Sequence, residues 1–214
     1  MPLKIVQSAL ITVFKRWGIP QWMKTDNGRP LGDPQRQIVP VLALWLIGLG
    51  IRLIWNRPRI PQDNAKVERF QGVLANWVEW KKCANPVQLQ DRLWREATFH
   101  NFHYPVSRLG RKTRIEAFPD LRYSNRPYDP KQFNVQRVLD FLAKGHWKRS
   151  ANKNGQITFW GKRMGVGSKY KYQQISIKME AATNHWMLFD PQGRLIKKVP
   201  TRITAKKIWE LDLS

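Results

Sequence analysis

The stretch IVPVLALWLIGLGI, from Ile38 to Ile51, carries no charge over 14 positions, in a chain otherwise rich in lysine and arginine. A segment apolar on every side has to be covered on every side, so the fold must be built around it. It is too short for a bilayer, which takes about 20 apolar residues. The reading is a buried helix running to about Ile47, stopped by Gly48 and Gly50, and then a buried strand from Ile51 to Asn56. Pro34 is well placed to open that helix.

The neighbouring segments supply layers to cover it. Leu3, Val6, Leu10, Val13, Phe14 and Trp17 recur at helical spacing, and Gly18 and Pro20 end that helix. QWMKT reads as a short strand, followed by a turn at Asp26-Asn27-Gly28. After the stiff RPRIP connector a long helix is expected from the cap residue Asp63 to about Lys82, and another from Val87 to His100. Helix, strand, helix, strand, helix is an α/β pattern.

The character then changes. Residues 104–135 form a connector dense in proline and arginine. After a short segment, FNVQRVLDFLAKG, the remainder reads as β-like from His146, with turns at Asn154-Gly155, at Gly161 and at Asp190–Gly193. In YQQISIKME the positions Tyr172, Ile175 and Ile177 alternate. Four or five short strands in about 60 residues suit a small barrel. Three regions follow: 1–103, 104–135 and 136–214.

Lysine and arginine number 38 against 15 acids, a net charge of +23. A surface this positive seeks a polyanion. The basic residues are spread along the chain and mixed with aromatics, which favours nucleic acid over a membrane surface. The single Cys83 excludes an internal disulfide and a multi-cysteine zinc site, and the basic, broken N-terminus does not read as a signal peptide. A cytoplasmic, nucleoid-associated protein is the expected setting. His100, His103, His146 and His185 show no tight ligand spacing.

Against this background two acids stand out. Asp26, at the end of the QWMKT strand, is the first acid in the chain, and Glu68 falls in the first turns of the long helix. Two hard oxygen donors invite Mg²⁺ or Mn²⁺, with water and substrate phosphate completing the shell. Lys66 and Arg69 beside Glu68 offset like-charge repulsion and could hold phosphate. The plain alternative is a turn aspartate and a solvated glutamate.

The words KTDNG, IRLIWNRPRIPQDNAKVERFQGVL and RLGRKTRIEAFP, in this order, resemble the DDE transposases and retroviral-type integrases of bacterial insertion sequences. The resemblance covers residues 1 to about 120. It implies the later part of an RNase H-like integrase core, followed by a small all-β SH3-like barrel. It also implies Asp26 and Glu68 as catalytic metal ligands, acting in DNA strand cleavage and transfer. The implied partners are transposon-end and target DNA and, through self-association, further copies or a full-length transposase. The family's first catalytic aspartate lies on the first strand, well before the second. Residues 1–25 hold no Asp or Glu, and Asp33 and Asp63 are poor substitutes. The expectation is a truncated core, a weakly held Mg²⁺ or Mn²⁺, and little activity from this chain alone.

Expected DNA contacts are Lys66 and Arg69 on the long helix and Arg111, Lys112 and Arg114 in the connector. In the β-rich part they are Lys148, Arg149, Lys162, Arg163, Lys169 and Lys171, interleaved with Trp147, Trp160, Tyr170 and Tyr172. Roughly half of those aromatics belong in a core, because strand faces alternate. Two further readings use the same residues: a non-catalytic DNA-binding protein acting as regulator, partner or remnant, and an RNA-binding barrel.

Overall fold

The computed structural model describes residues 2–33, 37–121 and 123–213. The chain is mixed α/β with open sheets. It divides into two compact units. The first joins residues 1–12, 21–55 and 128–214, and the second joins residues 13–20 and 56–127.

In the first unit the uncharged stretch forms helix α2 (Val41–Gly48), whose residues Leu42 to Gly48 are all buried. It connects β1 (Trp22–Thr25) to β2 (Arg52–Trp55), which pair in parallel with Trp22 opposite Arg52 and Thr25 opposite Trp55. Parallel neighbours need a crossover, and α2 supplies it. The helix begins at Val41, later than the sequence suggested. Residues 37–40 are not helical, Pro40 is the N-cap, and Pro34 lies outside the described residues.

Helix α6 (Val135–Ala143) and the short α7 (Ala205–Trp209) pack on α2. Trp45 meets Trp209 edge-on at 6.0 Å, and Trp209 meets Phe133 at 5.6 Å. Gly48 is required at this contact, since a Cβ there would sit 2.2 Å from the Phe133 ring.

The same unit holds a four-stranded antiparallel sheet of order β3 (His146–Ser150), β6 (Gln174–Glu180), β7 (His185–Phe189) and β8 (Leu195–Pro200). A separate hairpin pairs β4 (Gln156–Phe159) with β5 (Lys162–Gly165). Alternation along β6 buries Ile175, Ile177 and Met179. Tyr172 is not part of that alternation. It precedes the strand with a left-handed φ of 62° and is 72% exposed.

The second unit is helical. It contains α3 (Ala65–Val78), α4 (Pro86–Phe102) and the one-turn α5 (Arg114–Ala117). The long helix is shorter than expected at both ends. Asn64 is its N-cap, and Glu79 turns left-handed (φ 45°) and ends it before Lys82. Asp63 instead accepts from the Arg57 backbone N–H at 2.9 Å and pairs with its guanidinium at 2.9 Å. Packing between α3 and α4 is aromatic: Trp77 lies 5.7 Å from Phe99, 5.8 Å from His100 and 5.2 Å from Tyr104. Helix α1 (Leu3–Trp17) contributes its first ten residues to the first unit and its last five to the second. Among the described residues no helix is long and apolar enough to cross a membrane.

Candidate metal and nucleic-acid sites

Asp26 leaves the carboxyl end of β1, the end at which open α/β sheets bind their ligands. Its side chain is exposed and, among the described residues, accepts the Gly28 backbone N–H at 3.2 Å. The turn continues as Gly28 accepts from Gly32 N–H at 2.8 Å, and Asp33 pairs with Arg29 at 2.9 Å. Asp33 is thus engaged locally, as Asp63 is with Arg57.

Glu68 lies in the second unit, in the first turn of α3. It too is exposed, and Asn64 Nδ2 donates to it at 3.3 Å. The positive end of the helix dipole favours a carboxylate there and weakens any cation held by it. No lysine or arginine among the described residues pairs with Asp26 or Glu68. Their oxygens are the hard donors that Mg²⁺ or Mn²⁺ takes, so the donor chemistry fits. Among the described residues no three His, Cys, Asp or Glu side chains gather into a metal-holding group.

The second unit also contains a basic groove of about 550 Å³. Lys66, Asn101, Arg108 and Arg114 line it over an apolar floor that includes Ile115 and Phe118. Arg114 is half-buried: Nη1 donates to the His100 carbonyl at 2.7 Å, and the guanidinium lies 5.9 Å from the Tyr104 ring centre. Burial, and then the charge of Arg108, push its pKa down. Helix α5 is set by a capping box in which Thr113 Oγ1 accepts from Glu116 N–H at 3.2 Å and Glu116 accepts from Thr113 N–H at 2.7 Å. The groove thus brings together Lys66 and Arg114. It adds Arg108 and Asn101, which sequence reasoning missed because only the α4–α5 packing places them there. Arg69, Arg111 and Lys112 are exposed, Arg111 with a left-handed φ of 63°.

In the β-rich part the basic residues divide by strand face. Lys148 is exposed on β3, whereas its neighbour Arg149 is half-buried over Phe159 at 5.2 Å, where burial lowers its pKa. Arg163 is exposed and Lys162 half-buried on β5. Lys169 and Lys171 lie around the 3-10 turn Ser168–Tyr170, with the Lys169 ammonium 4.9 Å over the Tyr170 ring. Trp147 and Trp160 join the packed cluster of Phe159 and Trp186, while Tyr172 projects into solvent. No protein-family model matches the chain.

Proposed function

We propose that this chain acts on DNA in the manner of the DDE transposases and integrases. In this reading Asp26 and Glu68 would hold a divalent cation, and the basic residues would hold the backbone. The observation that carries it is the pairing of local settings. An unneutralised aspartate leaves the carboxyl end of a strand in a parallel pair, and an unneutralised glutamate opens the exposed helix that follows β2. Both lie in words resembling that family, on a molecule of charge +23.

In the same reading β1, α2, β2 and α3 are the later elements of an RNase H-like core, and residues 136–214 are the SH3-like module. When bound, Mg²⁺ or Mn²⁺ supplies activation of a water or 3′-hydroxyl and stabilisation of the leaving oxygen. Asp26 and Glu68 would each offer carboxylate oxygens to it. Lys66, Arg108 and Arg114 neutralise phosphate and orient the strand, contacts that fix register without reading sequence. With two carboxylates the ion is held weakly, and misplacement of reacting groups by about 1 Å costs on the order of 100-fold in rate.

The test is incubation with labelled transposon-end duplex and Mn²⁺. Nicked or joined products that vanish in Asp26→Asn and Glu68→Gln support the reading. Products unaffected by either substitution contradict it.

The second reading, a non-catalytic DNA-binding protein, is supported by the net charge of +23 and by exposed basic residues such as Arg69, Arg111, Lys112, Lys148 and Arg163. It predicts binding without products. Affinity should fall about 10³-fold or more between 50 and 200 mM salt if six or more phosphates are contacted.

A further inference from the structure

The turn joining β4 to β5 has two residues, Trp160 and Gly161, with Phe159 and Lys162 paired on either side. Both have left-handed φ, 48° and 71°. Such a turn ordinarily takes Asn-Gly, because a bulky side chain in this region is a steric outlier. Local rules broken in this way cluster at functional positions. Trp160 is held by its neighbours, stacked on Phe159 at 5.9 Å and edge-on to Trp186 at 5.3 Å. Its indole Nε1–H is nonetheless buried with no hydrogen-bond partner among the described residues.

The same ring lines a recess of about 30 Å³. Lys162, Thr201 and Arg202 also line it, with Met164 and Ile203 among its apolar walls, and no described lining residue is an acid. Thr201 Oγ1 is already committed, donating to Asn184 and accepting from Ile203 N–H. An unmatched donor calls for an acceptor, and two cations with no carboxylate call for that acceptor to be an anion. The recess, about 30 Å³, has room for small oxygen atoms, since a water needs roughly 10–15 Å³.

We propose that this recess is a phosphate-oxygen site: Trp160 Nε1 donates to one oxygen, and Lys162 and Arg202 balance its charge. The phosphate comes from a nucleic-acid backbone or from free phosphate. The backbone source rests on the DNA binding proposed above and is independent of the metal.

The test uses the full chain carrying ¹⁵N in its tryptophan indoles. Trp160→Phe keeps a ring and removes one indole signal, which assigns it. A short duplex, and separately inorganic phosphate, are titrated in at matched ionic strength. The site predicts a downfield shift of that one signal, lost in Arg202→Met, together with about tenfold weaker duplex binding in that variant. A shift with duplex alone assigns the backbone, and a shift with phosphate alone assigns free phosphate. Duplex binding by gel shift with the Trp160 signal unmoved by either ligand overturns the site and leaves DNA binding standing. Absence of any duplex binding, with no response to phosphate, overturns both.

Discussion

Gly48 accepts two long-range hydrogen bonds at its carbonyl, from Asn134 N–H at 2.9 Å and Arg137 Nη1 at 3.2 Å, with the Phe133 ring pressed against its Cα. Gly48→Ala should therefore overpack the α2–α6 contact and cost about 1–3 kcal/mol, seen as a lower urea midpoint at unchanged slope. His100 is a second sensitive position. It is buried between Phe70 and Trp77, and burial holds its pKa below the usual histidine value, aided by the charge of Arg114 and opposed by a hydrogen bond with Asn101. The unfolded chain thus binds the proton more readily. The stability this contributes is complete above the unfolded pKa of about 6.5 and is lost as pH falls through the lower folded value. Melting temperature should drop over that window, and His100→Phe should flatten the drop. Little of this was legible beforehand: Gly48 read only as a stop signal, and the histidines only as surface or packing residues without ligand spacing.

Elements were legible where apolar spacing and breakers agree. Helix α1 ends at Trp17, just before the left-handed Gly18, and β1, α2 and β2 all lie where the apolar runs put them. Boundaries failed where chemistry was ambiguous. Pro34 and Pro40 both suit a helix start, and the fold uses Pro40. Glu79 ends α3 in a left-handed conformation that normally announces itself by glycine or asparagine, so no signal marked it. The Trp160-Gly161 turn was readable as a turn, while the strain at Trp160 was not. The groove lined by Lys66, Arg108 and Arg114 arises from packing between helices and has no trace in spacing. Its wall depends on a short helix that cannot persist by propensity alone. Thr113→Ala removes the capping acceptor and should lower stability by about 1 kcal/mol, measured by denaturant unfolding.

At the scale of the whole molecule, a net charge of +23 means that most of the surface repels itself. Carboxylates are few, and several are engaged locally: Asp33 with Arg29, Asp63 with Arg57, Glu79 with Lys82, Glu180 with Lys198 and Asp190 with Arg194. Asp26 and Glu68 are left exposed, and among the described residues their partners are a backbone N–H and an amide. The proposed function requires both carboxylates to take up a divalent cation. Titration of Mn²⁺ followed by loss of the free-ion electron paramagnetic resonance signal tests it without relying on catalysis. The expected result is weak Mn²⁺ uptake by the wild-type chain that falls in Asp26→Asn and falls in Glu68→Gln. Uptake of Mn²⁺ by both variants equal to that of the wild type would contradict it.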